Sequence, residues 1–301
     1  MDRMIRCITS DGSLMAAAVD TTNIVAIAQE LHHTSAVSTA ALGRMLSAAS
    51  IMGAMLKQEN ASVTMKINGG GPLGSVVAIA DSRGNVRGYV EHPEVELPLK
   101  PNGKLDVGGG VGRDGLLMVI RDFGEGEPYV GQVRIATGEI AEDITAYYAV
   151  SEQIPTVCAL GVLVDKEEHQ AMLSGGLLIQ VLPGAAPEAI DRLEENIRTL
   201  EPMTTMLAKG MSMEEICQKA LAGFEMEILD EFQVKYVCTC SRDKVVQALS
   251  TMRREDIVSL ADETGYAEAS CQYCAKKYRF SVEELEEIAR QAAQKKKIEK
   301  N

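Results

Sequence analysis

The sequence predicts a mixed α/β (α+β) amino-terminal domain, a helical linker segment and a small carboxy-terminal module organised by cysteines. Three observations lead there. Strand-like runs and helical stretches, separated by glycine-rich turns, fill residues 1–183. Amphipathic, methionine-rich helical patterns fill 184–232, and two close cysteine pairs fall within 233–301. At 301 residues the chain can build one large core and one or two small ones.

The elements follow in order. Ile5–Thr9 and Leu14–Val19 flank Ser10-Asp11-Gly12-Ser13, a hairpin turn. Two helices are expected at 23–34 and 35–57, the second rich in alanine and other small residues. Strands are expected at Ser62–Ile67, Ser75–Ala80 and Val86–Val90, then a pair at Leu116–Arg121 and Val130–Ala136. A helix near 140–152 and two further strands, Thr156–Val164 and Met172–Leu182, complete the first domain. In the linker, Pro187 suits a first helical position, with Ile190, Leu193, Ile197 and Leu200 at helical spacing. Ser212 and Glu215 form a capping-box pattern for a second helix. Five of the fifteen methionines fall in this segment; they are read first as core filler and second as an adaptable binding surface. The module reads as a thiol pair, a helix or two, a second thiol pair and a last helix capped by Ser281, with a frayed KKKIEK end.

Charge narrows the partners. The formal net charge is −13, but 233–301 carries 13 Lys/Arg against 11 Asp/Glu, and the first 232 residues carry 17 against 32. A dication on four thiolates would add about −2 to the tail. No strongly basic surface remains for a phosphate backbone, so nucleic acid is not an expected partner. The first residues lack a signal-peptide core and no run reaches membrane-spanning length, so a cytoplasmic protein with reduced thiols is expected.

The most specific motif is C-x-C at Cys238 and Cys240 followed by C-x-x-C at Cys271 and Cys274. Two close pairs of thiolates can close a tetrahedral zinc shell, each pair supplying two corners. All four histidines lie far upstream, which disfavours a mixed shell. A closed all-thiolate shell has no open position for substrate, so the zinc is read as structural. A thioredoxin-like C-x-x-C is the competing reading, but its βαβ surroundings are missing. The thiolates are also the form that oxidants attack, so the same four residues could act as a redox switch.

The other signals are weaker. Gly110-Val111-Gly112-Arg113-Asp114-Gly115 matches the dinucleotide pattern in letters, but a strand-like run follows instead of a helix, so a permissive glycine loop is expected. No phosphate-binding G-x-x-x-x-G-K-[ST] occurs, and nothing suggests nucleotide use. His32 and His33 read as the polar end of a helix, and Cys7, Cys158 and Cys217 as small buried hydrophobes.

The run VKYVCTCSRDKVVQALSTM with SCQYCAKKYRF resembles the oxidation-activated bacterial chaperones of the 33-kDa heat-shock protein family. The resemblance extends through LGRMLSAASIMGAMLK, GGGPLG and YYAVSEQIPT and covers the whole chain in order. It implies a non-enzymatic, redox-regulated, ATP-independent holdase in which Cys238, Cys240, Cys271 and Cys274 bind one zinc in the reduced, inactive state. It further implies Cys238–Cys240 and Cys271–Cys274 disulfides on oxidation, zinc release, a homodimer in the active form, and unfolding proteins as clients. Two other readings compete: a zinc-ribbon protein contacting nucleic acid or a fixed protein partner, and a thiol–disulfide oxidoreductase.

Overall fold

The computed structural model describes the backbone of residues 1–298 and the side-chain surroundings of 1–292. The hairpin forms as the turn residues dictate: β1 (Arg3–Thr9) returns as β2 (Leu14–Asp20), and Gly12 takes a φ of 69° that side chains avoid. Next come α1 (Thr22–His32) and α2 (Ala36–Ala54), then β3 (Ser62–Gly70), β4 (Val76–Asp81) and β5 (Val86–Val90). A short helix α3 (Val107–Val111) leads into the pair β6 (Gly112–Asp122) and β7 (Tyr129–Arg134). The predicted helix near 140–152 is α4 (Ala141–Tyr147) running on as a π-helical turn, Tyr148–Glu152. Strands β8 (Thr156–Val164) and β9 (Ala171–Val181) follow, then α5 (Pro187–Thr199), α6 (Met203–Ala208), α7 (Met213–Ala220) and β10 (Met226–Gln233).

Two antiparallel five-stranded sheets result, one ordered β10-β1-β2-β9-β8 and the other β5-β4-β3-β6-β7. Helix α2 packs against strands of both. That position explains its composition: every residue except Ala36 and Arg44 is buried. A Cβ at Gly53 would come within 2.5 Å of the Asp81 carbonyl oxygen, so larger residues would push the sheet away.

The first sheet is buried on both faces, and strand alternation sorts its side chains. Met4, Ala17, Val19 and Leu178 join the core that contains α1 and α2. Ile5, Cys7, Ala16, Ala18, Leu177 and Ile179 point the other way, onto Leu193, Met203, Met206, Met213, Ile216 and Cys217 of α5–α7. The capping box at Ser212 and Glu215 is present. Residues 184–232 hold three helices and a strand rather than two helices alone. Pro202 starts the additional short α6, and β10 pairs with β1.

The glycine pattern at 110–115 is not a loop. Its first residues end α3, and Gly112, at φ 82°, opens β6. The order is helix then strand, the reverse of a dinucleotide-binding unit. GGGPLG (69–74) meets this segment backbone to backbone: a Cβ on Gly69 would lie 2.2 Å from the Gly112 oxygen. Both motifs are therefore glycine-rich because two backbone segments touch there.

By its internal contacts the chain divides into two compact units, Met1–Val237 and a second starting at Cys238. The last stretch of the first unit, past β10, lies along β5: Val86 N–H donates to the Lys235 carbonyl and Val237 N–H to the Val86 carbonyl, at 2.9 and 2.8 Å. In the second unit α8 (Arg242–Leu249) and α9 (Arg254–Val258) precede a hairpin, β11 (Tyr266–Ser270) and β12 (Lys277–Ser281), and α10 (Val282–Ile298). The hairpin is not expected from the sequence pattern. Ser281 caps α10 reciprocally with Glu284, and Phe280 and Leu285 share one small core. The end of the KKKIEK run, with its expected fraying, lies outside the described residues.

Candidate metal centre

Two turns bring the sulfurs together. The first is the irregular stretch ahead of α8, where the Ser241 hydroxyl caps the helix by accepting from Lys244 N–H. Cys238 and Cys240 sit just upstream of that cap. The second joins β11 to β12: Cys271 N–H donates to the Lys276 carbonyl and Ala275 N–H to the Cys271 carbonyl, at 3.0 and 2.9 Å. Ala275 takes a φ of 55°, which folds the four-residue turn back on itself.

The four Sγ atoms all lie within 4.8 Å of one another. Cys238 Sγ is 3.7 Å from Cys271 Sγ, and Cys240 Sγ is 3.4 Å from Cys274 Sγ. Zinc–sulfur bonds of about 2.3 Å in a tetrahedron require sulfurs about 3.8 Å apart, so the donor set and spacing fit such an ion. Both of these contacts run between the two pairs, so one ion would tie the 238–240 stretch to the β11–β12 turn. None of the seven cysteines is in a disulfide.

The thiols are not equivalent. The Tyr278 hydroxyl donates to Cys240 Sγ at 3.1 Å, which pulls that thiol down to about 7. Burial pushes Cys274 up to about 12 and raises Cys238. Lys244 Nζ donates to the carbonyl of Thr239, between the first two cysteines, at 2.8 Å. The Lys276 ammonium lies 5.4 Å from the Tyr278 ring centroid. Hydrogen bonds and cations around a thiolate cluster offset its excess negative charge. Tyr278 is the residue that motif reading missed; it lies four residues beyond Cys274, on β12, and only the hairpin aims it back.

A family model described as Hsp33 protein matches residues 2–281. The 33 kDa chaperonin of Clostridioides difficile is 44% identical over 290 residues, covering 96% of this chain and 99% of that protein. The chain belongs to the Hsp33 family. The 33 kDa chaperonin of Geobacillus sp. is 38% identical over 294 residues, covering 98% and 99%. The crystal structure of the Thermotoga maritima 33 kDa chaperonin superposes with a TM-score of 0.88 at 33% identity, covering 97% of this chain and 99% of that one.

Membership in this chaperone family agrees with what the other motifs do. LGRMLSAASIMGAMLK is the buried helix α2, and GGGPLG is a close backbone crossing. In YYAVSEQIPT, the Glu152 carboxylate receives the Tyr147 hydroxyl at 2.5 Å and pairs with Arg121 at 2.8 Å. Each is structural. His32 ends α1, with its ring 3.2 Å from the Tyr236 hydroxyl, far in sequence from the cysteines. Cys158 packs against the main core and burial raises its thiol to about 12. Among the described residues no helix is long and apolar enough to cross a membrane.

Proposed function

We propose that this chain is a redox-regulated, ATP-independent holdase of the cytoplasm and not an enzyme. In this reading 1–183 is the chaperone core, 184–232 its removable cover and 233–301 the switch. Reduced and zinc-bound it is inactive; oxidised it holds unfolding proteins, as a homodimer, without nucleotide or nucleic acid. One observation carries the reading. A largely apolar sheet face, edged by the Arg3–Glu214 ion pair, lies under three short helices, and the same chain then runs through β10 into a cluster of four thiols.

Cys238, Cys240, Cys271 and Cys274 would hold the ion. Zinc bound there would fix the sulfurs as thiolates and add on the order of 10–16 kcal/mol of folding free energy. The module's own core is thin, and no residue of α8 is buried. Closing each disulfide removes two electrons from two thiols and passes them to one peroxide, which leaves as two waters carrying the thiol protons. Sulfurs joined in disulfides carry no thiolate charge for a dication, so the module loses its main support. The chain segment along β5 and then β10 loses its anchor in turn. Helices α5–α7 are too short to persist undocked, and their release bares the sheet face that binds clients. The acidic charge of the first 232 residues keeps the resulting complexes in solution.

Neighbour pairing, Cys238–Cys240 and Cys271–Cys274, follows from the family resemblance. Two intervening residues allow the second bond with less strain than one allows the first, so Cys271–Cys274 closes earlier. The test follows zinc release, thiol count, peptide-mapped disulfides and suppression of client aggregation in one sample during peroxide treatment. Zinc release, disulfides and aggregation suppression should rise together as the thiol count falls, from about one zinc per chain at the start. Equal aggregation suppression before and after oxidation would defeat the switch, and a cross-paired Cys238–Cys271 bond would defeat the pairing.

A further inference from the structure

A second pair of thiols lies away from the metal cluster. Cys7 is on β1 and Cys217 on α7, about 210 residues apart in sequence. Both are fully buried, and both sit in the apolar layer between the first sheet and its cover of short helices. Helix α7 is fastened to β1 beside them: Arg3, on the Cys7 side of β1, donates to Glu214, one helical turn before Cys217, at 2.6 Å. The Cys217 thiol stabilises Cys7 as the thiolate, so Cys7 is pulled below its ordinary value while Cys217 is pushed far above it. Whichever of the two sulfurs meets an oxidant first, the other is the neighbour that resolves it.

Neither thiol has a part in the proposed switch, yet together they bridge the surface that must part for it to work. We propose that Cys7 and Cys217 form a disulfide on oxidation that pins α7 to β1 and keeps the apolar face covered, a brake on the four-cysteine switch. The pair is sealed while α7 is docked. Helix α7 has only eight residues and depends on docking, so brief local openings uncover both sulfurs at once. The β1–β10 ladder slips register between Arg6 and Cys7, which weakens the edge beside the pair.

The chemistry balances with hydrogen peroxide as the oxidant. Written with Cys7 as the first to react, its thiolate attacks one peroxide oxygen, the O–O bond breaks, and hydroxide leaves to take up a proton as water. Cys7 is then the sulfenic acid. The Cys217 sulfur attacks it, the S–S bond forms, the S–O bond breaks, and the oxygen leaves as a second water carrying the Cys217 proton. Two thiols are oxidised and one peroxide is reduced to two waters.

The effect on client holding rests on the proposed role of the α5–α7 cover, but the bond itself does not. The experiment therefore reads both. Full-length protein purified under reductant is titrated with hydrogen peroxide, alkylated, digested without reductant and searched for a peptide joining Cys7 to Cys217. Hydrogen exchange of 213–220 is measured on the same samples. The joined peptide should appear within one chain, vanish with reductant, and slow exchange of α7 about tenfold or more relative to the reduced form. Cys217→Ala, checked for native circular dichroism, should suppress client aggregation at a peroxide dose lower by about threefold or more. If that variant does not fold, exchange in the wild-type chain decides the outcome.

Three results would overturn the proposal: no joined peptide at doses that oxidise all four carboxy-terminal cysteines, a bond from Cys7 or Cys217 to another chain, or α7 exchange as fast in the joined form as in the reduced one. An unchanged dose for folded Cys217→Ala would overturn the brake. Failure of every oxidised form to hold client would instead sink the client-holding reading, while the peptide and exchange data still decide the bond.

Discussion

Helix α2 and helices α5–α7 cover opposite faces of the same sheet in opposite ways. Helix α2 is 19 residues long, buried nearly all round, and packed against strands of both sheets. Its counterparts have 13, 6 and 8 residues and bury one side each. A long helix clasped on all sides can leave only if the whole unit unfolds. Short amphipathic helices form only while docked, so a modest loss of docking energy releases them as a group. In the proposed function the same apolar strands thus have one permanent cover and one removable one, and the latter is the one followed in sequence by the thiol cluster.

The largest effect should come from Cys274→Ser, which removes one of four ligands. Zinc content should fall from about one per chain to near zero, a loss on the order of 10 kcal/mol to the module. Exchange should become fast from 238 through the module and in 184–232, while β1–β9 and α2 stay protected. Loss of protection in α2 as well would mean that the two covers do not differ.

A matched pair of truncations sharpens the comparison. Leu46→Ala in α2 and Met206→Ala in α6 each empty a fully buried site and should cost about 2–5 kcal/mol. The first should lower the melting temperature of the whole unit without client binding in the reduced state. The second should instead speed exchange in 184–221 and give aggregation suppression under reductant. Identical behaviour of the two variants would erase the distinction.

Tyr278→Phe tests the support of the thiol cluster. Losing the hydrogen bond to Cys240 should weaken zinc binding about tenfold or more, read by competition with a chromogenic chelator. Unchanged affinity would make that contact incidental. The smallest effect is expected from Glu201→Gln. Glu201 bridges Lys209 and Lys219, each at 2.5 Å, and links the end of α6 to α7. These lysines hold its carboxyl down to about 2, so the link is complete above the usual 4.5 and is lost as pH falls toward 2. Being exposed, it should matter little at neutral pH and nothing at high salt. Exchange in 203–220 of the reduced wild-type chain should accelerate as acid removes the link, and less so in the variant.

Local chemistry was enough to determine much of this protein. The β1–β2 hairpin, β5 at Val86–Val90, the capping boxes at Ser212 and Ser281 and the four-cysteine cluster were all legible, because each rests on neighbours a few residues apart. Strand β10 was not legible. As an edge strand its residues are partly exposed and carry no clean alternation, and its partner β1 lies more than 200 residues upstream. The β11–β12 hairpin was hidden for a related reason: its turn is the C-x-x-C itself, so the residues that mark a metal site also mark the reversal. Cys7 and Cys217 each read correctly as buried apolar residues. That they face one another, and that Tyr278 reaches back to Cys240, was decided only by folding, because which side chains meet across two elements depends on how those elements pack and not on either stretch alone.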